Sequence, residues 1–241
     1  MTSKKNSHYQ SALYLHGSLP LLDEGLFLKE VCSDLYRPSL LSKDTSLSSI
    51  TAHLNHNKIP LLCGYSLGGR VLLSLLPNLS YSPKLVVLMA CAWPLFGEQE
   101  RQQRLAKDTL HAKEIENDFE SFIEKWYRAD LRALDQQRRQ RLQDCYVKEY
   151  DTKQKRRQLS QLFLRYCQGT FPRAEAKSIK KFPFPCLYMS GGLDEKYTAQ
   201  AASFASHFSS FEHFIIPQAG HKLHLETKQQ HLINSKIRIS S

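Results

Sequence analysis

At 241 residues the chain is long enough for one sizeable core, or a core carrying an inserted subdomain. A hydrophobic content of 41%, with 10% aromatic, excludes wholesale disorder. Lysine and arginine outnumber aspartate and glutamate 33 to 23, a formal charge of +10 that calls for an acidic partner, an acidic substrate or a solvated basic face.

In chain order, MTSKKNSHYQ reaches a strand-like run without the long apolar stretch of a signal peptide. Six short runs rich in apolar or β-branched residues read as buried parallel strands: Ser11–Leu15, Val31–Tyr36, Ile59–Gly64, Lys84–Ala90, Cys186–Met189 and Glu212–Ile216. The longest apolar run, Leu85 to Phe96, is broken by Pro94 and is too short to cross a bilayer. Leu67, Val71 and Leu75 share one helical face, and Ala199 to Phe208 predicts a second small helix. Strand and helix alternate, which predicts an α/β fold with a doubly wound, mostly parallel sheet of about six strands. Residues 97–181 break the rhythm. They hold 20 Lys/Arg against 14 Asp/Glu, with helical patterns such as Phe119/Phe122/Ile123/Trp126 and no convincing strand. They predict a helical cap inserted into a core made of 1–96 and 182–241. The tail after Asn234 is expected to fray. No nucleic-acid motif accompanies the basic runs.

The six cysteines are scattered, with no CxxC pair and no nearby Cys/His cluster, which predicts a reduced, cytoplasmic protein without a metal. The expected state is a monomer or weak oligomer that binds neither nucleic acid nor membrane.

The stretch CGYSLGGR, residues 63–70, sits between a predicted strand and a predicted helix. A serine at so sharp a turn is held in an unfavourable backbone conformation, and glycines at 64 and 68 remove the side chains that would clash there. This is the G-x-S-x-G pattern that exposes a nucleophile at the top of a sheet. A serine alone is weakly nucleophilic, so the pattern calls for an acid and then a histidine, each after a later strand. LYMSGGLDEKY supplies Asp194, with Glu195 as its rival. FIIPQAGHKLH supplies His221, with His224 as the structural histidine. An oxyanion hole is also required. The amide after the nucleophile, Leu67, and that of Ser18 or a neighbour in LYLHGSL are the expected donors.

With these residues in hand, nearly the whole chain resembles the α/β-hydrolases. Within them, GYSLGGR, ERQQRLAKD, FESFIEKWYRADLR and AGHKLHLE are similar to segments of the 2-succinyl-6-hydroxy-2,4-cyclohexadiene-1-carboxylate synthases of menaquinone biosynthesis. The resemblance implies a triad of Ser66, Asp194 and His221. It also implies substrate contacts from Tyr65, Arg70, Arg104 and Trp126, and a 2,5-elimination of pyruvate with no metal or organic cofactor. A substrate with several carboxylates suits arginine forks. Each contact has a plainer alternative: Arg70 as an exposed first-turn residue, Arg104 on a solvated face, Trp126 as cap core. The chain departs from the pattern in two places. DLYRPSLLSKD stands where relatives place a glycine-rich turn, and a further cap arginine is missing near DCYVKEYD, where Lys148 is the nearest cation. The alternative activity is a serine carboxyl-ester hydrolase acting on an acyl chain borne by an acidic carrier protein.

Overall fold

Each apolar strand has two faces, because successive side chains point in opposite directions, and both faces of a parallel sheet must be covered. The computed structural model describes residues 8–95, 97–130, 135–170, 181–225 and 227–240, with backbone only at 127–130 and 227. The strands are β1 (Tyr9–Leu15), β2 (Cys32–Tyr36), β3 (Leu61–Tyr65), β4 (Leu85–Met89), β5 (Phe182–Gly191) and β6 (Phe208–Ile216). They form one all-parallel sheet in the order β2-β1-β3-β4-β5-β6.

The period-2 alternation sorts the core into two layers. Leu13 and Leu15 of β1, Leu62 of β3 and Val86 and Leu88 of β4 face α1 (Leu47–Asn57) and α2 (Leu67–Leu75), whose Ile50, Leu54, Val71 and Leu75 fill that side. Ala12 and Tyr14, Cys63 and Tyr65, and Val87 and Met89 face the opposite way. There Phe27, Leu28 and the helix α9 (Thr227–Ile239) cover them.

Four helices lie between β4 and β5: α3 (Glu98–Asn117), α4 (Phe119–Asp130), α5 (Gln136–Glu149) and α6 (Lys153–Arg165). Asp135 and Thr152 start α5 and α6 by accepting the amides of Arg138 and Lys155 at 2.8 and 3.2 Å. Their apolar faces, including Ile115, Phe119, Phe122, Tyr146 and Leu162, join the same contiguous core as α1 and α2. Of the segment 97–181, residues 131–134 and 171–180 lie outside the described residues, as do 1–7 of the leading stretch. Among the described residues, no helix is long and apolar enough to cross a membrane.

Three expectations from sequence need correction. The helix predicted over Ala199–Phe208 is two shorter ones, α7 (Glu195–Gln200) and α8 (Ala202–Ala205), and Phe208 already belongs to β6, paired with Phe182. β5 is longer than its apolar core suggests, because Pro183 and Pro185 sit inside it; the pairing with β6 is irregular between Phe182 and Pro185. The tail after Asn234 does not fray. Ile233 and Ile237 are fully buried, and the Asn234 side-chain amide donates to the Phe27 carbonyl at 2.9 Å and to Glu30 Oε2 at 3.2 Å. Ile237→Ala should therefore lower unfolding free energy by about 2–5 kcal/mol in urea titration. A loss under about 0.5 kcal/mol, the value for a surface change, would mean the tail is loose.

Candidate active site

The site begins with a chain reversal between β3 and α2. Ser66 sits there at φ 50°, ψ −109°, a conformation that costs a non-glycine residue about 1–3 kcal/mol. Its amide is held by the Met89 carbonyl at 2.8 Å, and its carbonyl by the Arg70 amide at 3.3 Å. A Cβ on Gly64 would stand 2.7 Å from the Gly68 carbonyl oxygen and from Gly69 Cα. A Cβ on Gly68 would instead meet the end of β1, 2.1 Å from the Leu15 carbonyl oxygen. The two glycines thus do different work. Gly64 lets the reversal close, and Gly68 lets α2 lie against the strand that leads into Gly17.

His221 connects Ser66 to Asp194. Its Nδ1 lies 2.9 Å from Asp194 Oδ2 and its Nε2 lies 3.1 Å from Ser66 Oγ. A carboxylate can only accept, so Nδ1 carries the proton and Nε2 is left to take the serine proton. The Asp194 carboxylate is oriented by the Tyr197 amide, 3.3 Å from Oδ1. Glu195 is exposed on α7 and takes no part. The loops bearing Asp194 and His221 touch through backbone: a Cβ on Gly191 would stand 2.3 Å from the carbonyl oxygens of Ala219 and Gly220. The imidazole is flanked by the rings of Tyr197 and Tyr65, with centroids at 4.4 and 5.5 Å. His224 is buried among Phe27, Tyr14 and Tyr65, and burial pushes its pKa down to about 4, so it stays neutral. It is a core histidine, as expected.

The turn after β1 is pinned by His16. The Leu40 amide donates to its Nε2 at 2.9 Å, so Nδ1 carries the proton and donates to the Gly17 carbonyl at 2.8 Å. Leu40 belongs to the segment that replaces a glycine-rich turn, so that segment secures the turn by another route. The Gly17 amide is taken by Glu24 at 3.2 Å. Ser18 lines the same cavity as Ser66. The Leu67 amide, at the first position of α2, has no acceptor within its own helix.

A cavity of about 460 Å³ opens over Ser66. Ser18, Arg70, Arg104, Trp126, Asp194 and His221 all line it, so the structure brings most of the sequence candidates together. Tyr65 is the exception. It is 2% exposed, points with Cys63 into the α9 side of the sheet and does not line the cavity, because strand alternation carries it away from Ser66. Lys148 lines a different cleft, between α4 and α5, and does not stand in for the missing arginine. Trp126 serves two surfaces, edging the cavity while packing on Phe122 and Phe163 at 5.4 and 5.2 Å.

The cavity is electropositive. Arg70, Arg104, Lys107, Lys125 and Lys196 line it against Glu114 and Asp194. Arg104 donates to both carboxylate oxygens of the buried Asp108 at 2.9 Å and reaches Gln168 Oε1 at 3.4 Å. Lys125 pairs with Glu114 at 3.0 Å. Arg70 Nη1 and Gln168 Nε2 are buried with no hydrogen-bond partner among the described residues. Burial, then the charge of Arg104, lowers the Arg70 pKa. Gln168, Lys107 and Lys196 were missed from sequence; a glutamine beyond a helix end carries no local signal of its role. Among the described residues, no group of three or more His, Cys, Asp or Glu could hold a metal ion.

The geometry separates the two acid candidates. Asp194→Asn should slow labelling of Ser66 by a serine-directed fluorophosphonate by about 10³-fold or more, because the imidazole loses its orienting partner. Glu195→Gln should label within twofold of wild type. The reverse order, read by intact mass against time, would move the acid to Glu195.

No family model matches the chain, and no curated protein matches it by sequence. Solved structures do. MenH from S. aureus superposes with a TM-score of 0.79 at 20% identity, covering 96% of this chain and 92% of that one. An esterase from Exiguobacterium antarcticum gives 0.65 at 15% identity, with 96% and 91% covered. RedJ, a thioesterase of the prodiginine pathway in Streptomyces coelicolor, gives 0.64 at 13% identity, with 98% and 91% covered. With six parallel strands, a serine at the turn after β3 and neighbours of this kind, the chain has the α/β-hydrolase fold, in a form similar to MenH.

Proposed function

We propose that the chain is a lyase that eliminates pyruvate from 2-succinyl-5-enolpyruvyl-6-hydroxy-3-cyclohexene-1-carboxylate, giving 2-succinyl-6-hydroxy-2,4-cyclohexadiene-1-carboxylate. The observation that carries this reading is the cation-lined cavity over Ser66, in which Arg70 Nη1 is buried without a partner. A buried guanidinium nitrogen left unpaired is costly, and an incoming carboxylate would relieve that cost. The substrate has carboxylates on the ring, the succinyl tail and the enolpyruvyl group. The cavity volume lies in the roughly 300–1,000 Å³ range of small-molecule sites. The structural likeness to MenH and the resemblance of the arginine and tryptophan segments support the same reading.

In this mechanism the Ser66 oxygen, with His221 Nε2 as proton acceptor, removes the ring proton beside the succinyl carbonyl. Negative charge develops on that carbonyl oxygen and faces the amides of Leu67 and Ser18, with the α2 dipole adding to the field. The electron pair then moves through the ring double bond, and the carbon–oxygen bond to the enolpyruvyl group breaks. The departing enolate of pyruvate takes up the proton to become pyruvate. Serine stays unacylated and no electron leaves the system. Helices α3–α6 act as the cap that presents Arg104 and Trp126 to the substrate. Free cysteines, five of the six buried, fit a reducing, cytoplasmic setting.

A carboxyl-ester hydrolase is the second reading. It is favoured by exposed basic residues on α5 and α6, such as Arg138, Arg141 and Arg157, which would suit an acidic carrier protein. Arg156 is no part of that surface: it donates to the Tyr150 carbonyl at 2.9 Å and lies over the Phe119 ring.

Arg70→Ala and Arg104→Ala separate the two. Loss of a buried charge-assisted pair costs about 2–5 kcal/mol, so each should lower kcat/KM for pyruvate release by tens to thousands of fold. Hydrolysis of a neutral model ester should change by less than about threefold, since it needs only the triad and the oxyanion donors. Wild-type protein that releases no pyruvate yet cleaves a carrier-borne methyl ester efficiently would overturn the lyase reading.

A further inference from the structure

Three groups that the triad does not use are buried together behind it. Glu24 and Lys222 are each 8% exposed, and Tyr146 is fully buried. The Lys222 ammonium donates to the Tyr146 hydroxyl, stands 4.8 Å from the centroid of that ring and lies 3.9 Å from Glu24 Oε2. Glu24 Oε1 accepts the Tyr14 hydroxyl at 3.1 Å and the Gly17 amide at 3.2 Å. The Tyr146 hydroxyl donates onward to the Leu19 carbonyl at 3.1 Å, and Tyr150 donates to the Pro20 carbonyl at 2.9 Å.

Stability alone does not account for such a set. Two charges taken out of water are costly, and a well-packed apolar pair of the same volume is often as stable. Burial works against ionisation of Glu24, yet the Lys222 ammonium, helped by the Gly17 amide, outweighs it and holds the carboxyl below its usual range. What distinguishes the set is where it sits in the chain. Lys222 follows His221 directly, Gly17 precedes Ser18, and Tyr146 lies on α5. The linkage therefore joins the proton acceptor, an oxyanion donor and a helix of the 97–181 segment through buried hydrogen bonds and one ion pair.

We propose that Glu24, Lys222 and Tyr146 are positioning residues that hold the His221 loop and the Ser18 amide in register with Ser66 and couple both to the seating of α5. This rests on the triad reading of Ser66, His221 and Asp194, and not on the choice of substrate. Glu24 fixes the Gly17 turn, Lys222 fixes the backbone next to His221, and Tyr146 ties the two to the helix. A displacement of about 1 Å at a reacting group is enough to cost on the order of a hundredfold in rate.

The test uses a fluorophosphonate, which bonds Ser66 Oγ to phosphorus as fluoride leaves and His221 takes the serine proton. Its rate depends on the triad and the oxyanion donors alone. Tyr146→Phe keeps the ring and removes the hydroxyl, Lys222→Met keeps the stem, and Glu24→Gln with Lys222→Met leaves no lone buried charge. All three should label Ser66 roughly tenfold to a hundredfold more slowly than wild type. The double variant should recover thermal stability relative to Lys222→Met while staying slow, a split that a merely structural role would not give. Labelling of Tyr146→Phe and the double variant within twofold of wild type would overturn the positioning role and leave the triad intact. A wild type that is not labelled at Ser66 would overturn both.

Discussion

The positive φ at Ser66 is the constraint on which the rest of the structure depends. A serine in that conformation sits at the end of a strand with its hydroxyl turned away from the sheet and toward the loops that follow β1, β5 and β6. It persists because its surroundings over-determine it. The Met89 carbonyl holds its amide, α2 begins one residue later, and the glycines on either side admit backbone where side chains would collide. The parallel sheet supplies the rest. Strands running the same way end at the same edge, so the loops after β1, β5 and β6 arrive there with Ser18, Asp194 and His221.

The second ingredient is positive charge gathered around the cavity, from the buried Nη1 of Arg70 to the exposed Lys125. Cations outnumber carboxylates around the cavity, and the pairing among them is uneven. Arg104 is anchored by Asp108 and Lys125 by Glu114, while Arg70 Nη1 is left without an acceptor. Anchoring costs the cation some field but fixes its direction, which is what recognition of a carboxylate requires. The same logic runs behind the triad, where a buried glutamate and lysine meet a tyrosine of α5. Polar groups there are placed where chain segments must keep a fixed relation, and apolar packing fills the space between them.

Much of this was legible in the sequence, for reasons that differ by feature. All six strands were found because buried parallel strands are short apolar runs, although Pro183 and Pro185 hid the start of β5. Ser66 was found because steric demand leaves a glycine signature. Asp194 and His221 followed from chain order and the strands before them. What stayed hidden were side-chain directions and long-range pairs. Tyr65 resembled a substrate contact, but strand alternation buries it on the α9 side, where its ring packs against His221 and His224 outside the cavity lining. Lys148 was the nearest cation in sequence, yet it faces another cleft. Gln168, Glu24 and Lys222 gain their meaning from partners at residues 104, 17 and 146, which no local pattern reports. The helical tail gives no local sign of its seating, because Asn234 and Ile237 bury against a turn two hundred residues earlier.

The most direct measurement is rapid-quench intact-mass analysis of the wild-type protein during turnover of the enolpyruvyl substrate, with pyruvate followed in the same samples. Elimination by proton removal predicts that pyruvate accumulates over many turnovers while Ser66 stays unmodified at every time point. An acyl adduct on Ser66 that forms and decays at the rate of turnover would contradict the account and make the chain a hydrolase by covalent catalysis.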